Sequence, residues 1–182
     1  TVKEAFQAVN TQGVIAPGVT FLIRSGTYVE DTLIIATGTT SASAPILIRP
    51  DTGATVVINV TPPSTTIDFA VKIDSTKYVT IDGSASGGTS RDLTINALGA
   101  NGRRGIWVSR AAHYATIKNC IITAGRDMAT LSISVIAIDF RYTGTAQDPD
   151  FVLAENNLLR HAYTGIRAEG NLAGDVMESP VF

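Results

Sequence analysis

A chain of 182 residues is long enough for one domain with a substantial core, and 45% of it is hydrophobic while only 16% is charged, against roughly 25% charged in an average soluble domain. No stretch approaches the ~18 uncharged apolar residues of a membrane span, which argues against membrane insertion. With a net charge of −2 and Lys and Arg scattered rather than clustered, the footprint of a nucleic-acid partner is missing as well. The opening "TVKEAFQAVN" sets Val2, Ala5, Phe6 and Val9 at helical spacing, with Thr1 and Glu4 placed for a capping box and Gly13 as a stop. A short amphipathic helix is predicted there, and no later segment reads as helical.

From Val19 the period changes to two. "VTFLIRSG", "TLIIA", "PILIRP" and "TVVINV" are short β-branched runs separated by Gly, Pro, Asp and Thr-Ser clusters. Then one phrase is written three times: "YVTIDG" from Tyr78, "YATIKN" from Tyr114 and, more loosely, "FVLAEN" from Phe151, with starts 36 and 37 residues apart. That spacing is too long for a hairpin and typical of a stacked repeat. A second alternating pair recurs beside it, at Val71 and Ile73, Ile106 and Val108, Ile136 and Ile138, and Ile166 and Ala168. Two strand types in fixed order, with no helix between them, suit parallel strands in successive coils. The expected fold is therefore all-β, a right-handed parallel β-helix forming one domain over residues 1–182, with residues 1–13 as a helical cap and 19–182 as coils.

The sixth residue of each phrase, Gly83, Asn119 and Asn156, is a type that tolerates the left-handed backbone of a sharp bend. These positions are expected to be corners, with Val79 and Ile81, Ala115 and Ile117, and Val152 and Ala154 alternating inward. "GSASGGTSR" and "RYTGTAQDPD" read as surface excursions. A helix over the first coil would protect its unpaired edges. "GNLAGDVMESPVF" offers no such cap, so the chain is expected to continue into a longer polypeptide beyond Phe182.

The residues carry two resemblances. "TVKEAFQAVN" followed by "RSGTYVED" resembles the N-terminal coil of pectin methylesterases, over about the first fifth of the chain. The catalytic elements of those enzymes have as nearest counterparts "GRDMATL" at 125–131 and "IDFRY" at 138–142, which match only in an Asp or an Asp-Phe, so esterase activity is not carried over. A longer resemblance, over most of residues 1–123, is to β-helix repeats of very large surface proteins of gliding and related Gram-negative bacteria, exported by the type IX route. "EAFQAVN", "GTYVED", "APILIRP", "AVKIDSTKYVTIDG" and "IKNCII" carry it. It implies a secreted or cell-surface location and adhesion or glycan contact, without a catalytic motif.

If the alternating pairs point inward, their neighbours form an outward face. The expected columns are Lys72, Trp107, Ala137 and Arg167, beside Asp74, Ser109, Asp139 and Glu169. Asp139 and Glu169 would then be neighbours, with Arg167 and the sole tryptophan on the same surface. Such a face could hold a polysaccharide through Trp107, Lys72, Asp74, Asp139, Arg167 and Glu169. In an enzyme, Asp139 and Glu169 would be the acid and base, assisted by Arg167. The competing interpretation of the same columns is ordinary solvated charge.

His113 and His161 sit in no metal-ligand spacing and read as exposed or hydrogen-bonding residues. Cys120 reads as a small buried hydrophobe. Asp148 and Asp150 could offer oxygens to calcium, but two carboxylates fall short of the six to eight ligands it takes, and no cofactor is called for. "GSASGG" lacks the lysine of a phosphate loop. The resulting expectation is a non-catalytic module of a secreted or cell-surface protein in contact with a polysaccharide or cell-surface glycan. The alternatives are a pectinolytic-type enzyme and a structural spacer.

Overall fold

The computed structural model describes residues 1–126, 134–141 and 148–169. Residues 170–182, residues 142–147 and most of "GRDMATL" lie outside the described residues. Helix α1 (Val2–Gln12) has the capping box its sequence encodes, with Thr1 accepting from the Glu4 amide and Gly13 closing the end at φ 75°. Val2, Phe6 and Val9 turn inward, and Phe6 meets Phe21 edge to face at 5.9 Å. The Glu30 carboxylate accepts the Val2 amide at 2.9 Å, placing negative charge at the positive end of the helix dipole.

Among the described residues, five coils of three strands follow. The first holds β1 (Val19–Ile23), β2 (Gly26–Glu30) and β3 (Leu33–Ile35). The second holds β4 (Ile46–Pro50), β5 (Val56–Val60) and β6 (Phe69–Asp74), and the third β7 (Val79–Asp82), β8 (Leu93–Ala97) and β9 (Arg104–Ser109). The fourth holds β10 (Thr116–Lys118), β11 (Cys120–Thr123) and β12 (Ile136–Phe140). The fifth holds β13 (Leu153–Glu155), β14 (Leu158–Arg160) and β15 (Thr164–Ala168). Each strand pairs in parallel with its counterpart one coil away, giving a first sheet β1-β4-β7-β10-β13, a second β2-β5-β8-β11-β14 and a third β3-β6-β9-β12-β15. The protein is a parallel β-helix with a helical cap, as the repeats predict.

Stacking makes the core. On the first sheet Ile48, Ile81, Ile117 and Ala154 follow one another in register and all are buried, so the inward alternation expected of the repeated phrase is what the structure shows. On the third sheet the interior column is Leu33, Val71, Ile106, Ile138 and Ile166. Here the expectation of Ile136 is corrected by two residues. Because side chains alternate with period two, a slip of two keeps the same face inward, and "VIAIDF" fits either register. The structure chooses the one that brings Asp139, not Ala137, opposite Trp107 and Arg167; Ala137 is wholly buried in the core.

The corners need a second correction. Asn119 and Asn156 are left-handed, at φ 57° and 50°, but Gly83 is not. A Cβ on Gly83 would lie 1.9 Å from the Asn119 carbonyl oxygen, so glycine is required there by close approach of backbones. The residues that open the phrase, Tyr78, Tyr114 and Phe151, are left-handed too, at φ 53°, 58° and 53°. Their rings stack at 4.6 and 4.9 Å. Stacking along this column compensates for a backbone conformation that bulky residues otherwise avoid.

Candidate functional site

The outward face of the third sheet is where the sequence places chemistry. Asp74 ends β6, Trp107 and Ser109 lie on β9, Asp139 on β12, and Arg167 on β15, with Glu169 just past its end. Register brings Lys72, Trp107, Asp139 and Arg167 into one row across four strands. The next row is Asp74 and Ser109, continued by Arg141, which donates from Nη1 to Glu169 at 2.9 Å. Asp139 therefore faces Arg167 rather than Glu169, and the expected carboxylate pair is replaced by two separate ion pairs.

Asp139 is only 1% exposed. Arg104 Nε donates to one oxygen at 2.9 Å, Arg167 Nε donates to the other at 2.8 Å, and Arg167 Nη2 adds a third bond. Arg104 continues through Nη1 to Asp68, so acids and guanidiniums alternate from Asp68 to Arg167. Burial pushes the Asp68 carboxyl above its ordinary range even though Arg104 opposes it. Burial would lower the Arg167 pKa, but its hydrogen bonds and attraction to Asp139 outweigh that and raise it.

A second cluster surrounds Asp74. Arg110 holds it with two bonds at 2.8 and 2.7 Å, Ser109 Oγ donates at 3.1 Å, and Lys72 Nζ stands 3.2 Å away. Burial lowers the Lys72 pKa, with Asp74 opposing. Trp107 lies between the clusters: Lys72 Nζ is 4.2 Å and the Arg104 guanidinium 4.6 Å from its ring, and Phe69 tilts against it at 5.7 Å. Its indole N–H donates to the Arg141 carbonyl at 2.7 Å. The ring is thus anchored by cation–π contacts rather than standing free as a platform.

All six residues expected to bind ligand are on this face, but their partners include four that the sequence left unnoticed: Asp68, Arg104, Arg110 and Arg141. Arg104 stands two positions before the interior Ile106 and shares its parity, so strand alternation points it inward and the sequence carries no signal for its place on this face. The other candidates fall elsewhere. Cys120 is buried with its thiol directed at the Lys118 carbonyl, and burial raises its pKa strongly, as expected for a packed hydrophobe. His113 accepts the Asp150 amide at Nδ1, and His161 is exposed. Asp148 is buried, and among the described residues no three of His, Cys, Asp and Glu gather as a metal site needs. Nor is any described helix long and apolar enough to cross a membrane.

Coils and face together define a class of architecture: a parallel β-helix with a charge-laddered outer sheet. The chain matches no protein-family model, no curated protein and no solved structure.

Proposed function

We propose that the chain is a non-catalytic β-helix module of a secreted or cell-surface bacterial protein, and that its outer faces contact glycans. The observation that carries this reading is the state of Asp139. A general acid or base must exchange a proton with a substrate atom within hydrogen-bond reach, whereas both Asp139 oxygens are filled by guanidinium N–H groups and the residue is buried. Glu169, the other acid of the expected pair, is tied to Arg141. What this face offers outward is the part of the half-buried Trp107 ring that Lys72 and Arg104 leave uncovered, with the remaining N–H groups of those cations beside it, a combination suited to sugar rings and their hydroxyls.

The test is incubation of the chain with neutral and acidic polysaccharides, following Trp107 fluorescence and assaying for reducing ends, unsaturated uronates and methanol. Trp107 is the only indole, so its emission reports this face alone. Binding without product supports the proposal. A product that disappears in Asp139→Asn or Glu169→Gln would establish an enzyme instead, and a panel with neither binding nor product would leave the spacer.

A further inference from the structure

We propose that the outer face of the second sheet holds a separate site for an oxyanion group, the carboxylate or sulfate of an acidic glycan, with Arg126 and Arg160 as its cationic arms. The glycan part rests on the function proposed above; the oxyanion part stands on the geometry. Asn59, Asn96, Thr123 and Arg160 are register partners on β5, β8, β11 and β14. They form one outward row that crosses three strand spacings, about 14 Å. Beside it lies a groove of about 410 Å³, lined by Thr94, Asn96, Thr123, Arg126, Arg160 and His161 among others. Asn96 and Thr123 are buried in its floor, and the Asn96 amide is oriented by donating to Asn59 Oδ1 at 2.9 Å.

Charge distinguishes this groove from the third sheet. There Lys72, Arg104, Arg110, Arg141 and Arg167 each meet a carboxylate. In the groove, the Arg126 and Arg160 guanidiniums have no carboxylate within ion-pair distance among the described residues. Two guanidiniums on one concave polar surface, without a carboxylate partner among the described residues, make a positive field that concentrates anions, and their planar forks match carboxylate and sulfate oxygens. Thr94, Thr123 and Asn96 supply hydroxyl and amide groups along the groove, where the hydroxyls of an attached sugar chain would find partners. An oxyanion between the arginines, with sugar extending over the Asn and Thr row, uses every polar group named except His161.

Titration calorimetry at low salt with four probes tests the assignment: inorganic sulfate, alginate oligosaccharides carrying only carboxylates, chondroitin sulfate oligosaccharides, and neutral dextran. The acidic glycans are expected to bind and dextran not to bind at this site. Arg126→Ala and Arg160→Ala should each weaken acidic-glycan binding about tenfold, and Arg160→Lys should weaken it less, since Lys keeps the charge but loses the fork. Lys77→Ala, which removes one positive charge elsewhere, should change affinity less than twofold. Urea denaturation of each variant checks that it is folded. Alginate and chondroitin sulfate separate carboxylate from sulfate as the group held. Unchanged acidic-glycan binding in both Arg→Ala variants would overturn the site; if Trp107→Ala abolished binding instead, glycan contact would stand on the third sheet. Sulfate held through Arg126 and Arg160 with no glycan bound would keep the oxyanion site and overturn its glycan assignment. No binding of any probe would overturn both.

Discussion

Arg167 stands directly across from Asp139 on the neighbouring strand, and its Nε donates to the Asp139 carboxylate at 2.8 Å. Arg104 holds the other side of the same carboxylate from the strand below. One buried acid thus joins three successive coils, β9, β12 and β15. The parallel ladder sets the spacing, the outward parity of residues 139 and 167 sets that pair side by side, and Arg104 reaches the same carboxylate from the first position of β9. A catalytic carboxylate needs an oxygen within reach of a substrate proton, and both oxygens of this one are taken by guanidinium N–H groups.

Asp139→Ala should leave Arg104 and Arg167 facing each other without their shared anion. Breaking a buried pair from one side costs about 3–5 kcal/mol, and because both guanidiniums keep some contact with solvent the lower end, about 3 kcal/mol, is expected. Urea denaturation measures it. A loss under about 1 kcal/mol would mean that the cluster contributes no more than surface ion pairs do.

Asp68 gives a pH dependence of defined sign. Its pKa is raised in the folded protein, burial being the largest cause, so the folded state holds this proton more tightly than the unfolded chain. The resulting stability is fully present below the unfolded carboxylate value, about pH 4, and is lost as pH rises through the higher folded value. Asp68→Asn cannot titrate, so the wild type should lose stability relative to this variant as pH rises above about 4. Urea midpoints of both proteins across that range decide it, and a difference running the other way would show that the attraction to Arg104 dominates burial.

At the corner, Asn119 combines a left-handed backbone, φ 57°, with a buried side chain that donates to Asp82 at 2.7 Å and accepts from Asn156 at 2.7 Å. Backbone alone would make Asn119→Gly mild, but the ladder means that Gly also removes a partner from the buried Asp82 and from the half-buried Asn156, at about 1–3 kcal/mol. Asn119→Val should cost about 1–2 kcal/mol more, for the β-branched residue at positive φ. Chemical denaturation of both variants gives the two contributions; equal losses would assign the whole effect to the hydrogen bonds.

How far the sequence reveals this molecule depends on which interactions are local. The capping box of Thr1 and Glu4, the inward alternation of "YVTIDG" and "YATIKN", and the left-handed Asn119 and Asn156 depend on near neighbours or on a repeated pattern, and each is legible. Register between coils is not local. "VIAIDF" permits Ile136 or Ile138 to stack on Ile106, and only packing of the whole coil decides, with Gly105 admitting no side chain because a Cβ there would lie 2.4 Å from Ile122 Cγ2. A slip of two leaves the core pattern intact but exchanges every partner on the outer face. The Asp139 clamp was hidden for that reason.

The aromatic column supplies the last prediction. Tyr114 sits between Tyr78 and Phe151, with ring centroids at 4.6 and 4.9 Å and near-parallel planes, while its own φ is 58°. Tyr114→Ala removes two stacking contacts, each worth roughly 0.5–1.5 kcal/mol beyond area burial, and leaves an alanine in a conformation that costs an L-residue about 1–2 kcal/mol. Tyr114→Gly removes the same contacts but relieves the backbone. Within an ordinary strand Gly is the poorer substitute, by about 0.5–1 kcal/mol; here Gly should be the more stable of the two. Thermal or urea unfolding of the Ala and Gly variants reads the difference directly. A double-mutant cycle of Tyr78→Leu and Tyr114→Leu then isolates the ring contact, because leucine keeps apolar bulk while removing the π face. Coupling near zero, or an Ala variant more stable than the Gly variant, would mean that the stack only accompanies the bend and contributes nothing to holding it.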